Sequence, residues 1–369
     1  ASGMSSRPSL GHPGNKYEMG LQAIEEIEAT TAELACEVFS SSYAEFRVAS
    51  GSIANLYAFM AMCEPGDTIV APPGTIGGHV THHTAGSAGM YRLNTVSAPI
   101  NPHRYTVDLD ALRNVVDQVQ PQVITIGGSL NLLEHPVAAV REIADSVGAW
   151  VMFDAAHQCG LIAGGAWANP LDNGAHVMTM STYKSLGGPA GGLICTNDAQ
   201  LAQRLDDIAH PGLTANFDAA KIAALGITLA DWKAVGAQYA RAMVDTAQVL
   251  AAQLDSRGVP VFVTEEGFTK SHQFAVLAAQ YGGGQTASRT LEASRLLACG
   301  IGLPEGDVEG DLAGLRLGTP ELVRIGMSTA DMPELADLIS RALGGTNVAH
   351  EVSAFRSRFS GVHFVAGSA

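Results

Sequence analysis

Five short segments of this chain carry residues whose types and spacing suit chemistry, and the first is Ser50-Gly51-Ser52. It follows a short β-like stretch and opens an apolar helix. Small residues at a helix start expose backbone N–H groups and the positive end of the helix dipole, which together bind phosphate. The segment therefore suggests a phosphate cradle, although an ordinary serine N-cap explains it equally well when it is taken alone.

The second segment places His79 close to His82 and His83. Three histidines in five residues suggest a metal site, but no acidic residue stands at ligand spacing beside them. We therefore favour a single functional ring, His79, over a metal centre, and we expect no metal.

The third segment ends an apolar strand with Asp154 and places His157 three residues later. A carboxylate at the end of a buried strand is costly unless it pairs with a cation or a hydrogen-bond donor. The pattern predicts a partnered, functional carboxylate, and a helix-capping aspartate is the alternative.

The fourth segment, MSTYKSLGGP, carries Ser181, Tyr183 and Lys184 between an apolar strand and a glycine-rich stretch. Burial there would lower the pKa of the lysine and free its amine to attack a carbonyl carbon. Surface lysines are commoner, but we interpret Lys184 as a nucleophile because of this apolar context.

The fifth segment, GLRLGTP, places Arg316 inside an apolar strand. A guanidinium there can hold a carboxylate in a two-pronged hydrogen bond, and a structural ion pair is the alternative.

Taken together, the five segments supply a phosphate cradle, a ring to stack, a buried carboxylate, an amine nucleophile and a carboxylate clamp. These are the requirements of pyridoxal 5'-phosphate bound to an amino acid. Asp154 would keep the pyridine nitrogen protonated, and Lys184 would bind the cofactor covalently.

The elements that must position these residues alternate between apolar strands and helical stretches. Strands are predicted at residues 67–71, 122–128, 150–156 and 176–182, separated by stretches of helical periodicity. Continuous apolar strands spaced in this way are typical of a parallel sheet that helices cover on both faces. The fold class is therefore α/β.

Three regions are expected along the chain. Residues 1–30 form an N-terminal arm, residues 31–250 a large cofactor-binding domain, and residues 251–369 a small α+β domain. The stretch from 201 to 252 predicts long linking helices, and strands are expected in GVPVFVTEE, HQFAVLAAQ and LRLGTPELV.

Charge and composition exclude several classes of protein. The 369 residues contain 21 Lys and Arg against 36 Asp and Glu, for a formal charge of −15, which argues against a nucleic-acid or anionic-membrane surface. No apolar run reaches the roughly 18 residues of a membrane span. The first residues lack a secretory signal, and it stays open whether this N-terminus is native or trimmed. Five scattered cysteines indicate reduced core thiols in a cytoplasmic protein.

From residue 11 to residue 327 the sequence resembles the serine hydroxymethyltransferase family of fold-type I pyridoxal phosphate enzymes, as a divergent, α-methylserine-type member. The resemblance implies a mostly parallel seven-stranded sheet with a smaller C-terminal domain. The matching segments are GHPGNKY, SGSIAN, EPGDTIVAPPGTIGGHVTH, REIADSVGAWVMFDAAHQCGLIAGG, TMSTYKSLGGPAGGLI and LRLGTPELVRIG.

The resemblance also implies roles, residue by residue. Lys184 would be the cofactor-binding lysine and Asp154 the pyridinium partner. His79 would stack on the ring and His157 would lie beside its phenolic oxygen. The remaining matches are Ser50, Gly51 and Ser52 for the phosphate, Arg316 for the substrate carboxylate and Tyr17 for a catalytic tyrosine. We also expect Ser181 and Tyr183 to lie beside the cofactor. Family members work as dimers whose neighbouring chain completes each site, so a homodimer or tetramer is expected.

The departures from the family lie on the folate and substrate side. The family's glutamate three residues before Pro-Gly, which handles a proton and contacts folate, is Leu10 here, and a tyrosine two residues earlier is Pro8. Glu18 stands where the family has the second tyrosine of a Tyr-Tyr pair, Tyr183 where it has a histidine before the lysine, and Ala190 where it has an arginine after Gly-Pro. The segment Thr214-Ala215-Asn216-Phe217 replaces the family's Gln-Gly-Gly-Pro loop. Use of tetrahydrofolate is therefore uncertain.

We predict an enzyme that cleaves or forms the Cα–Cβ bond of a β-hydroxy amino acid such as serine or α-methylserine. The products would be glycine or alanine and an aldehyde or one-carbon unit. A folate-independent threonine-type aldolase or transaldolase is an alternative. An aminotransferase, racemase or decarboxylase on the same fold is another, and an inactive cofactor-binding relative is a third.

Overall fold

The computed structural model of the protein describes residues 3–367. The strands in this part of the chain are β1 Gly11–His12, β2 Asn15–Lys16, β3 Tyr43–Val48, β4 Thr68–Ala71, β5 Asn94–Ser97, β6 Ile100–Asn101, β7 Thr106–Val107, β8 Val123–Gly127, β9 Trp150–Asp154, β10 Val177–Ser181, β11 Gly192–Thr196, β12 Gln273–Leu277, β13 Cys299–Ile301 and β14 Gly314–Gly318.

The α-helices are α1 Gln22–Val38, α2 Gly51–Met62, α3 Ser87–Met90, α4 Leu109–Val119, α5 Val137–Asp145, α6 Cys159–Ala163, α7 Ala199–Asp207, α8 Ala219–Asp255, α9 Gly284–Glu292, α10 Pro320–Arg324, α11 Met332–Leu343 and α12 Ala349–Arg356. A π-helical turn, Ile208–Leu213, follows α7, and five short 3-10 turns join other elements.

Seven strands form the central sheet in the order β3-β11-β10-β9-β8-β4-β5. The pairs from β10 across to β5 are parallel, whereas β11 runs antiparallel to both β10 and β3. The prediction of an α/β fold with a mostly parallel seven-stranded sheet is confirmed.

Helices cover both faces of this sheet, which explains why its central strands are largely apolar. Every residue of β8 and β10 is buried. On one face Met152 and Val177 pack with α2 and α7, and on the other Phe153 and Met178 pack with α4, α5 and α8. Because neighbouring residues of a strand point to opposite faces, a doubly covered strand favours apolar side chains on both, and the polar residues Thr125 and Thr179 of these strands are hydrogen-bonded.

A second, antiparallel sheet in the order β12-β14-β13 lies in the C-terminal part, where the sequence predicts α+β structure. The strands expected in HQFAVLAAQ and LRLGTPELV are present as β12 and β14. The strand expected in GVPVFVTEE is wrong, because the segment forms only isolated bridges, from Val261 to Val276 and from Thr264 to Gly267. Pro260 supplies no N–H for a ladder at that point, so pairing does not extend along the segment.

The long helix α8 begins with the side chain of Asp218, which accepts hydrogen bonds from the backbone N–H groups of Ala220 and Lys221. It runs through residue 250, and α1 likewise runs through residue 30. Each proposed domain boundary thus falls within a continuous helix. The three-part division stays a prediction.

The five cysteines are free thiols, as predicted, but Cys36 and Cys299 are only half-buried, so they are not core residues. Within residues 3–367, no helix is both long enough and apolar enough to cross a membrane.

Candidate active site

The sequence-predicted residues converge on one cleft at the carboxyl ends of the central strands, where an open parallel sheet binds its ligands. Nine of the predicted residues line this cleft, namely Ser50, Gly51, Ser52, His79, Asp154, His157, Ser181, Tyr183 and Lys184, together with Asn55, Gly128, Ser129 and Ala156.

The N-terminus of α2 forms one wall of the cleft. Ser50 caps the helix, and its Oγ accepts a hydrogen bond from the N–H of Ile53 at 3.2 Å. A Cβ added to Gly51 would lie 2.0 Å from Ser181 Oγ, so only glycine leaves this corner open. A helix start with exposed N–H groups beside two serine hydroxyls is suited to a phosphate group.

Asp154 ends β9 in full burial, and three donors surround its carboxylate. His82 Nε2 and Asn55 Nδ2 each lie 3.0 Å from Oδ2, and the N–H of Ala156 donates to Oδ1 at 2.9 Å. Burial raises the pKa of Asp154, but the hydrogen bonds from His82, Ala156 and Asn55 and the attraction of the His82 ring outweigh it. The net effect holds the pKa far below its usual range. The carboxylate is therefore a permanent anion that can keep a bound ring nitrogen protonated.

His82 and Asn55, which contact the carboxylate of Asp154, were not among the site residues predicted from the sequence. Thr125 Oγ1 lies 3.0 Å from His82 Nδ1, and Thr179 Oγ1 donates to Asn55 Oδ1 at 2.7 Å, so both partners of Asp154 are themselves held. The available sequence signal for His82 was the three-histidine segment, in which it stands three residues after His79. Within residues 3–367 no group of three or more His, Cys, Asp or Glu could hold a metal ion.

His79 lines the cleft just before the 3-10 turn Val80–His82. Its Nδ1 lies 2.8 Å from Thr81 Oγ1 and accepts from the N–H of Thr81 at 3.3 Å, which fixes the plane of the ring. Burial lowers the pKa of His79, so the ring is neutral near pH 7 and can stack on an aromatic cofactor.

Lys184 lies in the turn after β10, which the hydrogen bond from Gly187 N to Lys184 O closes at 2.9 Å. Burial lowers the pKa of its amine, while the charge of Asp154 acts in the opposite direction. Within residues 3–367 the amine has no hydrogen-bond or ion-pair partner. A half-buried amine without an acid partner is suited to covalent bond formation with a carbonyl carbon.

Arg316 on β14 reaches the rim of the same cleft. Its Nη1 donates to Ser129 O at 2.5 Å and lies 3.3 Å from His157 Nε2, and its Nη2 donates to Cys299 Sγ at 3.1 Å. None of these three partners is a carboxylate, and no Asp or Glu forms an ion pair with Arg316 among the described residues. The structural ion pair considered as the alternative role of Arg316 is therefore absent among the described residues. The guanidinium is available to bind an anion.

Tyr17 is the one predicted site residue that its own chain does not bring to the cleft. It lies in the N-terminal turn region with 77% of its surface exposed, and it is not among the cleft residues. Tyr183 does line the cleft and is half exposed. Leu10 is half-buried near Tyr17, whose N–H donates to Leu10 O at 3.1 Å.

The donor set of the cleft fits pyridoxal 5'-phosphate. It offers an open helix N-terminus for the phosphate, an ionised carboxylate for the ring nitrogen, a neutral ring to stack and an unpaired amine for the aldehyde.

Comparison with known proteins agrees with this geometry. Residues 1–339 match the serine hydroxymethyltransferase family. An alpha-methylserine aldolase of Variovorax paradoxus is 60% identical over 98% of this chain and 83% of its own length. An alpha-methylserine aldolase of a Ralstonia species is 54% identical, over 99% and 84%. A serine hydroxymethyltransferase of Methanopyrus kandleri is 38% identical, over 98% and 86%.

A family match over most of the chain and relatives of this similarity, joined to the cleft described above, lead to one conclusion: this chain is an enzyme of the serine hydroxymethyltransferase family, whose members are pyridoxal phosphate-dependent.

Proposed function

We propose that this enzyme cleaves α-methylserine to alanine and formaldehyde without tetrahydrofolate. The observation that carries the proposal is an amine in the cleft, Lys184, and a guanidinium at its rim, Arg316, which contacts the lining residues Ser129 and His157; neither has an acid partner among residues 3–367. An α-amino acid offers the complementary groups, because its amine can replace the lysine on the cofactor and its carboxylate can pair with the arginine.

The cofactor, when bound, withdraws electrons from the α-carbon of an attached amino acid. Asp154 supports this by remaining ionised, with His82 and Asn55 as donors to the oxygen that faces them. Ser50, Gly51 and Ser52 would hold the phosphate through the start of α2, beside Ser181. Tyr183 would form part of the outer wall.

Cleavage moves one proton and one electron pair. The hydroxyl proton of the substrate leaves, the Cα–Cβ electron pair stays on the α-carbon, and the hydroxymethyl group departs as formaldehyde. A proton returned to the α-carbon then gives alanine, so the atoms balance. Lys184 Nζ is the group we assign to that return, because burial lowers its pKa and eases exchange of a proton.

Two observations favour α-methylserine and independence from folate. The Variovorax and Ralstonia relatives that are 60% and 54% identical are alpha-methylserine aldolases by name. Leu10 stands where the family has a glutamate that contacts folate, and a leucine can neither accept a proton nor bind a polar pterin edge.

The experiment compares formaldehyde and alanine formation from α-methylserine with and without added tetrahydrofolate. We expect equal amounts of the two products at rates that do not depend on folate. Strict dependence on folate with L-serine as the preferred substrate would instead assign serine hydroxymethyltransferase activity. Accumulation of a keto acid would favour an aminotransferase.

We further propose a homodimer, or a tetramer built from such dimers, in which Tyr17 of one copy enters the cleft of the other. The high exposure of Tyr17 and its position outside its own cleft support this arrangement. We also propose a cytoplasmic location, which five free thiols without a disulfide would suit.

A further inference from the structure

Gln273 is a buried glutamine behind the cleft to which no role has been assigned. It is the first residue of β12, pairs with Gly318 on β14 and is only 4% exposed. A glutamine buried to this extent must satisfy its amide or lose stability.

The amide of Gln273 reaches the inner side of His157. Its Nε2 lies 3.1 Å from His157 Nδ1 and 3.4 Å from Ser129 O. Its Oε1 has no hydrogen-bond partner among the described residues. The amide therefore presents its donor side to two acceptors.

The imidazole of His157 carries a single proton. Burial lowers the pKa of His157 well below its ordinary value, and the positive charges of Lys184 and Arg316 and the neighbouring His272 act in the same direction, against Asp154. A neutral imidazole donates from one ring nitrogen and accepts at the other, so its hydrogen-bond partners determine which nitrogen carries the proton.

Two neighbours of His157, Arg316 and Gln273, require opposite positions of this proton. If His157 Nε2 accepted from Arg316 at 3.3 Å, then Nδ1 would carry the proton and Gln273 would have to turn its Oε1 toward the ring. That rotation would set Oε1 against the carbonyl oxygen of Ser129 and would leave the amide N–H groups without a partner. Unpaired buried N–H groups are rarer in folded proteins than unpaired carbonyl oxygens, and they destabilise the fold.

Arg316 does not need His157 as an acceptor, because its Nη1 already donates to Ser129 O and its Nη2 to Cys299 Sγ. The longer contact, with Arg316, is therefore the one that gives way.

We propose that Gln273 is a positioning residue that donates to His157 Nδ1 and thereby keeps the single proton of His157 on Nε2. His157 then faces the cleft as a hydrogen-bond donor beside Arg316, rather than as a lone pair. The inference deepens the proposed function, on which its catalytic meaning rests, but it concerns a property of the protein that is measurable without turnover.

The test is nitrogen NMR of the cofactor-bound protein with ¹⁵N-labelled histidine, in which the signal of His157 is assigned by its loss in His157→Asn. The ring-nitrogen shifts of a neutral histidine report directly which nitrogen is protonated. We expect the proton of wild-type His157 on Nε2. A wild-type signal with the proton on Nδ1 overturns the proposal, even if no Gln273 variant folds.

Two variants and a matched control sharpen the measurement. Gln273→Glu offers only acceptors, so we expect a proton to appear on His157 Nδ1, and Gln273→Met removes the donor and should abolish the preference for Nε2. Gln158→Met is the control, because Gln158 is equally buried nearby but pairs with Ser271, and it should leave the signal unchanged. An unprotonated Nδ1 in Gln273→Glu would contradict the proposal. Failure to cleave α-methylserine would overturn only the proposed function, since the NMR signal does not depend on turnover.

Discussion

His82 Nε2 lies 3.0 Å from Asp154 Oδ2, and both side chains are almost completely shielded from solvent. The two residues are 72 positions apart in the chain. His82 belongs to the 3-10 turn after β4, whereas Asp154 ends β9, two strands away in the sheet. The environment of the Asp154 carboxylate thus depends on a contact that only the folded sheet creates.

Replacing His82 should destabilise the protein through Asp154. We expect His82→Leu to lower the free energy of unfolding by about 3 kcal/mol at pH 7, because it leaves a buried carboxylate short of a partner. The folded pKa of Asp154 lies below its unfolded value, so this stabilisation is present above about pH 4 and is lost as the pH falls through the folded pKa. The difference between wild type and variant should therefore shrink below about pH 4.

Urea unfolding of wild type and variant at a series of pH values measures this difference. His83→Leu is the matched control, because His83 is only half-buried and bonds to Pro72 O rather than to a carboxylate. Equal losses in the two variants at pH 7 would argue against a special role for the His82 pair.

Adding one methyl group at Gly51 should block the phosphate corner. A Cβ there would lie 2.0 Å from Ser181 Oγ but 3.2 Å from Ser181 Cβ. We therefore expect Gly51→Ala to weaken cofactor binding by at least about tenfold, and Ser181→Ala in the same chain to restore part of the loss. Titration of cofactor-stripped protein with pyridoxal phosphate gives both affinities. Gly74→Ala, where an added Cβ meets nothing within 4 Å, is the control.

Replacing Arg316, the residue proposed to bind the substrate carboxylate, should raise KM for α-methylserine. Arg316→Lys keeps the charge but loses the two-pronged geometry, so we expect KM for α-methylserine to rise roughly 10- to 100-fold with a smaller change in kcat. Steady-state kinetics on variant and wild type decide the matter. Arg289→Lys, at an exposed position on α9, should behave as wild type. An unchanged KM in Arg316→Lys would remove Arg316 from the substrate site.

Mixed dimers should reveal whether active sites are shared between chains. Tyr17→Ala and Lys184→Ala should each be inactive as homodimers. A hybrid of the two would have one intact cleft, made of Lys184 from one copy and Tyr17 from the other, and should recover roughly half of the wild-type activity. Differently tagged, co-expressed chains purified through both tags provide the hybrid. A verified hybrid without activity would place Tyr17 outside the partner's cleft.

Local patterns predicted much of the fold. The strand of residues 150–154 is recognisable because a strand covered on both faces is largely apolar, here up to the terminal Asp154, and α1 is recognisable from its amphipathic spacing. The same reasoning wrongly predicted a strand at residues 258–266. Their apolar composition suits a strand, but the segment connects α8 to β12 and bridges β12 at only one residue, Val261.

The chemical identity of the site was determined by the sequence alone. The residue types and order of Lys184, Asp154, His79 and Arg316 are local properties, and their position after apolar strands predicts one shared edge of a parallel sheet. The partners of those residues were decided only by the tertiary structure. His82 and Gln273 owe their roles to hydrogen bonds shorter than 3.5 Å between segments far apart in the chain. Such contacts depend on how strands and turns pack, and no local pattern of residues encodes them.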